Sequence, residues 1–317
     1  MRDNAAPPRE RILVLLSKIK EIANRTFHVE IRNKKPIPVK MGGHEELPAL
    51  LKQVIAELKK NRNELTAIRT ATTGRFMDEV AEVYAHQVLP FKESLELLAA
   101  SNASIARFGD GEFRLMLRPE FNLGFQSNSK ELQYQLREVF ETQSEDLLIG
   151  FPFLFRDAHW SNVYAELWPS LKPLVNPQQK YINAHITRPR VFEVLGQEAV
   201  ELWRKVWDRK DAVIITGEGS RFDLVPALFD NLKTADFIHS TPKDAFTDLE
   251  RVVSETLEKN PDLAIISLGP AGTVLAKKLS ERGIRALDIG HLSSSYLNVV
   301  QGHARPEHTP ATRQLRK

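Results

Sequence analysis

The sequence predicts an α/β fold: a mostly parallel sheet with helices on both faces, preceded by an α-helical N-terminal extension. Two observations carry this reading. From Ala103 onward, short continuous apolar runs alternate with amphipathic stretches, as expected for strands buried on both faces by crossover helices. Between residues 44 and 100, by contrast, Gly and Pro are nearly absent. There Leu47, Leu51, Val54, Leu58, Leu65 and Ile68 fall on one helical stripe.

A chain of 317 residues is ample for a buried core, and 42% hydrophobic with 27% charged residues is an ordinary soluble composition. No window has the apolar length of a membrane span, and the polar start is unlike a signal peptide, so no membrane span and a cytoplasmic location are expected. The absence of cysteine excludes disulfides, thiolate metal sites and cysteine nucleophiles. The formal charge is only +3, and the basic clusters at Arg32–Lys35 and Arg313–Lys317 read as solvated ends, so no nucleic-acid partner is expected.

Taken in order, residues 1–43 are irregular and basic, with a short helix expected at Glu10–Ala23. Residues 44–95 form the helical extension. Its stripe, interrupted by Asn61, suits either a coiled-coil homodimer or packing on the next domain. A helix at Lys92–Ala100 leads into the main domain, residues 96–302. Strands are expected at Ser104–Phe108, Asp146–Gly150, Lys180–Ala184, Ala212–Thr216, Ala235–Ile238, Leu263–Leu268 and Arg285–Ile289. Helices are expected at Glu131–Glu141, Leu224–Leu232, Asp248–Glu258 and Ala271–Arg282, and residues 303–317 as a loose tail.

In open α/β sheets, ligands bind outside the C-terminal ends of the strands. The first strand runs into Arg107-Phe108-Gly109-Asp110-Gly111-Glu112. Asp110 and Glu112 suit a hard divalent cation that would hold a diphosphate, with Gly111 leaving room for a ligand; equally, Asp110 can cap a helix that starts at Glu112. Gly217-Glu218-Gly219-Ser220-Arg221-Phe222 reads as a strand, a glycine turn and a helix start, suited to phosphate but lacking the Gly-Lys-Ser/Thr of a P-loop. In Ser267-Leu268-Gly269-Pro270-Ala271-Gly272-Thr273, Pro270 suits a first helical position, and the glycines form a partial dinucleotide fingerprint. His291 falls at the end of the last strand, as a base for a hydroxyl or as a structural cap, and Asp288 either orients it or lies buried. Lys243 offers a cation for a leaving phosphate. His239, His185 and Thr187-Arg188 carry weaker signals.

These blocks, in this order and spacing, resemble the GT-D-type glycosyltransferases over residues 95–302. The resemblance implies a Rossmann-like domain that transfers a sugar from a nucleotide-diphosphate donor, typically a UDP-sugar, with Mn²⁺ or Mg²⁺. The family's Asp-x-Glu pair falls on Asp110 and Glu112 as metal residues, and its late histidine on His291 as the suspected general base. Gly269 to Thr273 would line the nucleotide. Arg107 and Arg221 are read as phosphate contacts, and Gly109, Gly111, Gly219, Ser220, Lys243 and Asp288 complete the donor set. The implied partners are a nucleotide-sugar donor and a glycan or glycoprotein acceptor. Two other readings compete: a non-catalytic nucleotide-sugar-binding scaffold, suggested by the helical extension, and a nicotinamide-dependent oxidoreductase, suggested by the Gly269–Gly272 turn.

Overall fold

The computed structural model describes residues 46–308 together with Ser17. The helix expected at Glu10–Ala23 lies outside the described residues except for Ser17.

The chain divides into two compact units, Met1–Gly74 and Arg75–Lys317. The division falls inside a single helix, α1 (Glu46–Gln87), so the second unit begins at Arg75 rather than at residue 96. In the first unit, Leu51, Leu58, Leu65 and Ile68 of the apolar stripe are exposed, whereas Val54 is buried. In the second unit the last turns of α1 are built into the core. Met77 and Val80 are buried, and Glu79 accepts hydrogen bonds from Trp168 Nε1 at 2.9 Å and Lys172 Nζ at 3.0 Å.

After α2 (Phe91–Ala100) come β1 (Ser104–Arg107), α3 (Asp110–Leu117), α4 (Lys130–Glu141), β2 (Leu147–Phe151), α5 (Ala158–Leu171) and β3 (Ile182–Asn183). Then follow α6 (Pro189–Leu195), α7 (Gln197–Val206), β4 (Asp211–Gly217), α8 (Pro226–Phe229), β5 (Thr234–Ser240), α9 (Leu249–Lys259), β6 (Leu263–Ser267), α10 (Pro270–Ser280), β7 (Arg285–Asp288) and α11 (Leu292–Gln301). The helix expected at Leu224–Leu232 is only one turn long. Pro226 fixes its start, and Asn231 Nδ2 is bonded to Arg204 O and Asp208 rather than to a helical turn.

All seven strands are parallel, in the order β3-β2-β1-β7-β6-β4-β5. Successive side chains of a strand point to opposite faces, so a strand apolar at every position must be covered twice. In β6, Ala264 and Ile266 join one core layer, with Phe113, Phe140 and Val274. Leu263 and Ile265 join the other, with Trp203, Trp207 and Leu292. The helix after β1 lies in the first layer and the helix after β7 in the second, although the two strands are neighbours. Connections that leave adjacent strands for opposite faces open a crevice at the strand ends.

That junction is fastened by one ion pair. Arg107, at the end of β1, donates from Nη2 to Asp288 Oδ1 at 2.9 Å, from Nε to Asp288 O at 2.6 Å and from Nη1 to Thr187 Oγ1 at 2.7 Å. Asp288 is buried at the end of β7. A buried pair that loses one partner leaves an uncompensated charge in a poor solvent. Asp288→Ala is therefore expected to lower the unfolding free energy by about 3–5 kcal/mol. Urea unfolding measures this, and a loss below about 1 kcal/mol would show that the pair does not hold the junction.

Candidate active site

A cleft of about 400 Å³ lies at the C-terminal ends of the strands. Its wall includes Arg107, Gly109, Asp110, Gly111 and Glu112 after β1, Ser220 and Arg221 after β4, Ser267, Gly269 and Pro270 after β6, and His291 after β7. Four segments far apart in the sequence thus meet in one cavity.

The Asp110–Glu112 turn opens α3 in a way that the sequence reading placed one step off. The helix starts at Asp110, and its N-cap is Gly109, not Asp110. Glu112 curls back so that its Oε2 accepts the Gly109 N–H at 2.8 Å. A Cβ on Gly109 would approach that oxygen to 3.0 Å, so glycine fits the return bond. Burial pushes the Glu112 carboxyl up to about 7. Asp110 is more open, and its Oδ2 meets Arg114 Nη1 and His159 Nε2, each at 3.2 Å.

Among the described residues no group of three or more His, Asp or Glu converges as a metal cage. Mg²⁺-like ions do not require one, since they are held by one or two carboxylates together with substrate phosphates and water. A buried carboxyl next to an accessible one fits such an ion, which would restore the Glu112 charge that burial disfavours.

His291 caps the start of α11, and Ser295 N donates to its carbonyl oxygen at 2.8 Å. Its Nδ1 lies 2.9 Å from Arg221 Nη2. A guanidinium only donates, so Nδ1 is the acceptor and the proton of the neutral ring sits on Nε2. Burial, with Arg188, Arg221 and Arg107 nearby, holds the imidazole well below its usual range and therefore neutral. Asp288 does not orient His291, because its carboxylate is engaged by Arg107. Gly290 lies between them with φ +44, and a Cβ there would run into the Arg107 guanidinium.

Several expected donor residues sit elsewhere. Arg107 reaches the cleft wall, but its guanidinium is bound to Asp288 and Thr187. Ala271, Gly272 and Thr273 lie behind the wall. A Cβ on Gly272 would meet Ile266 Cγ2 at 2.9 Å, so this glycine lets α10 pack closely on β6 and does not itself line the cleft. Thr273 Oγ1 donates to Arg107 O at 3.0 Å. Gly219, with φ +66, shapes the loop after β4 without lining the cleft, and Lys243 is exposed beside it. No helix follows Ser220, since α8 begins only at Pro226, so the phosphate-binding helix start expected there is absent. His239 is exposed, with Nδ1 3.4 Å from Thr216 Oγ1.

The cleft also recruits residues that the sequence only hinted at or hid. Arg188, at the start of α6, lines it with His185. His185 Nδ1 accepts the Phe153 N–H at 3.0 Å, and burial, with Arg188 and Arg107 nearby, keeps the ring neutral, so its Nε2 is a donor. Its ring packs against Phe155 and Trp160, at centroid distances of 5.1 and 5.9 Å. Phe125 borders the opening, half exposed, on a turn strapped by Asp244 N to Phe125 O at 2.9 Å. Pro306 and Glu307 close one side, so this part of the expected loose tail is built into the wall. The residue after Thr187 and before Pro189 carried a usable signal, because proline at a helix start marks the turn that follows a strand. Nothing local distinguished Glu307.

Both buried histidines prefer the neutral form in the fold, so the unfolded chain takes up more protons as the pH falls through about 6.5. Their contribution is fully present above that pH and is lost below it. Glu112, raised to about 7 in the fold, acts with the opposite sign over the same range, so the comparison is between proteins: from pH 7.5 to 5.5 the melting temperature of wild type is expected to shift downward relative to that of His185→Gln. Equal slopes in the two proteins would contradict this.

The model of a family described as the glycosyltransferase GT-D fold matches residues 105–304. The chain is 27% identical over 232 residues to the glycosyltransferase GlyD of Streptococcus pneumoniae serotype 4, which takes in 66% of this chain and 27% of that protein. It is 29% identical over 224 residues to a probable glycosyl transferase, Gly, of Streptococcus gordonii, which takes in 66% of this chain and 32% of that protein. The match thus spans about a third or less of these relatives' length. Among solved structures, a glycosyltransferase (DUF1792) from Streptococcus sanguinis superposes with a TM-score of 0.62 at 29% identity, over 68% of this chain and 85% of that one. A domain of unknown function 1792 described as having a distinct glycosyltransferase fold gives a TM-score of 0.64 at 25% identity, over 74% and 86%.

Proposed function

The chain belongs to the GT-D-fold glycosyltransferases, and from that premise we propose that its cleft moves a sugar from a nucleotide-diphosphate donor, in first choice a UDP-sugar, to a hydroxyl of a glycan or glycoprotein acceptor. The observation that carries this is the convergence of the Asp110–Glu112 turn, the Ser220-Arg221 loop, the Gly269-Pro270 turn and His291 on one cavity. Asp110 and Glu112 are the residues to hold Mn²⁺ or Mg²⁺, whose part is to neutralise charge on the leaving diphosphate.

The chain's own groups divide the remaining work. Arg188 and Arg221 face the cavity as cations for phosphate oxygens. Gly269 and Pro270 present the start of α10, a helix end that favours negative charge. A guanidinium that turns from His291 to a phosphate releases the Nδ1 lone pair. That nitrogen then takes the proton of the acceptor hydroxyl as the glycosidic bond breaks. His185 and Trp160, with Phe155 packed against the His185 ring, offer apolar surface for a sugar ring.

Turnover of UDP-sugars by purified variants tests the proposal. Asp110→Asn and Glu112→Gln are each expected to lower kcat by about 10²–10³ while the unfolding midpoint stays near wild type. Full activity in both variants would overturn the metal assignment. Absence of turnover across UDP-, GDP- and dTDP-sugars in the wild type, with acceptor present, would overturn the transferase reading.

A further inference from the structure

The C-terminal segment places a carboxylate where the proposed reaction needs a phosphate. After α11, Gly302 takes φ +71 and the chain turns back over the start of that helix. Asn298 Nδ2 donates to His303 O at 2.5 Å, and His303 N to Leu297 O at 3.3 Å. Pro306 is buried, and Glu307 Oε1 meets Arg188 Nη2 at 3.1 Å.

This strap borders two cavities. On one side lies the main cleft, bordered by Pro306 and Glu307. On the other is a space of about 330 Å³ bordered by His303 and Ala304. Arg221, Ser293 and Ser294 border both. Residues 303–308 thus contribute to the walls of both, with Arg188 on the main cleft and Arg221 on each.

Arg188 is only half satisfied by its present partner. Glu307 engages one guanidinium nitrogen, while Nη1 is buried with no hydrogen-bond partner among the described residues. A guanidinium fork is built for two oxygens of one anion, and a buried donor left unmade is costly. Glu307 itself is half exposed, so water competes for its carboxylate. A ligand with several phosphate oxygens can offer what Glu307 lacks.

We infer that Glu307 is a placeholder for a diphosphate on Arg188, and that diphosphate binding exchanges it and lifts the strap of residues 303–308. This rests on the donor-site reading above and adds to it a gate built from the chain's own tail. Occupancy of the cleft and position of the strap are then one equilibrium, and removing the carboxylate charge shifts it toward the open, binding-competent form.

Two measurements with inorganic pyrophosphate, in buffer containing Mg²⁺, test the exchange without any sugar transfer. In calorimetry, Glu307→Gln is expected to bind about threefold to tenfold more tightly than wild type, as loss of a competing ion pair requires. The chain has no cysteine, so His308→Cys carries a single environment-sensitive fluorophore on the strap. Its emission is expected to change on adding pyrophosphate, with the calorimetric midpoint. Equal or weaker binding by Glu307→Gln, or a silent fluorophore at saturation, would overturn the gate. If UDP-sugar turnover persists in a protein that fails both arms, the gate falls and the transferase reading stands. If no pyrophosphate binds to either protein, the gate falls with the anion seat itself.

Discussion

The pairing of Arg107 with Asp288 is the constraint on which the rest of the site depends. It joins the ends of β1 and β7, the neighbouring strands whose following helices leave for opposite faces of the sheet. The same guanidinium reaches Thr187 beside β3, and the Arg107 carbonyl takes the Thr273 hydroxyl of α10. One partly buried side chain thereby ties together the Asp110–Glu112 turn, the Arg188 helix start and the His291 loop. Gly290 is the accommodation this requires, since any side chain there would displace the guanidinium. Arg107, which the sequence offered as a phosphate contact, here holds the cleft loops in register through Asp288 and Thr187.

Around that fixed point the cleft is electrostatically mixed. Glu112 sits where burial disfavours its charge, and His185 and His291 sit where burial and nearby arginines disfavour theirs. A site in this condition gains from a ligand that carries both signs, such as a cation bound to a diphosphate. The present partners read as stand-ins: Glu307 for an anion on Arg188, and Arg221 on the lone pair of His291. Each is a contact that a multivalent ligand can better.

Much of this was legible in the sequence because it depends on local pattern. All seven strands overlap the runs that predicted them; in the central strands β1, β7 and β6 burial on both faces leaves few polar positions to confuse the reading, whereas the edge strand β5 is mostly exposed. The four cleft segments were legible because glycine turns at strand ends have distinctive composition. What was hidden depends on tertiary partners. Nothing near Arg107 announces that Asp288 will claim it, and Gly272 looks the same whether it faces a nucleotide or Ile266. The helix foreseen after Gly219 failed because the chain stays irregular until Pro226. Glu307 entered the site by chain reversal, which no local pattern encodes.

Calorimetric titration of UDP into the full chain, with and without Mn²⁺, tests most directly whether this cleft is a metal-assisted nucleotide-diphosphate site. The account predicts micromolar binding with the metal and at least tenfold weaker binding without it, because two carboxylates alone repel a diphosphate. Equal affinity in both conditions, or no binding in either, would contradict it.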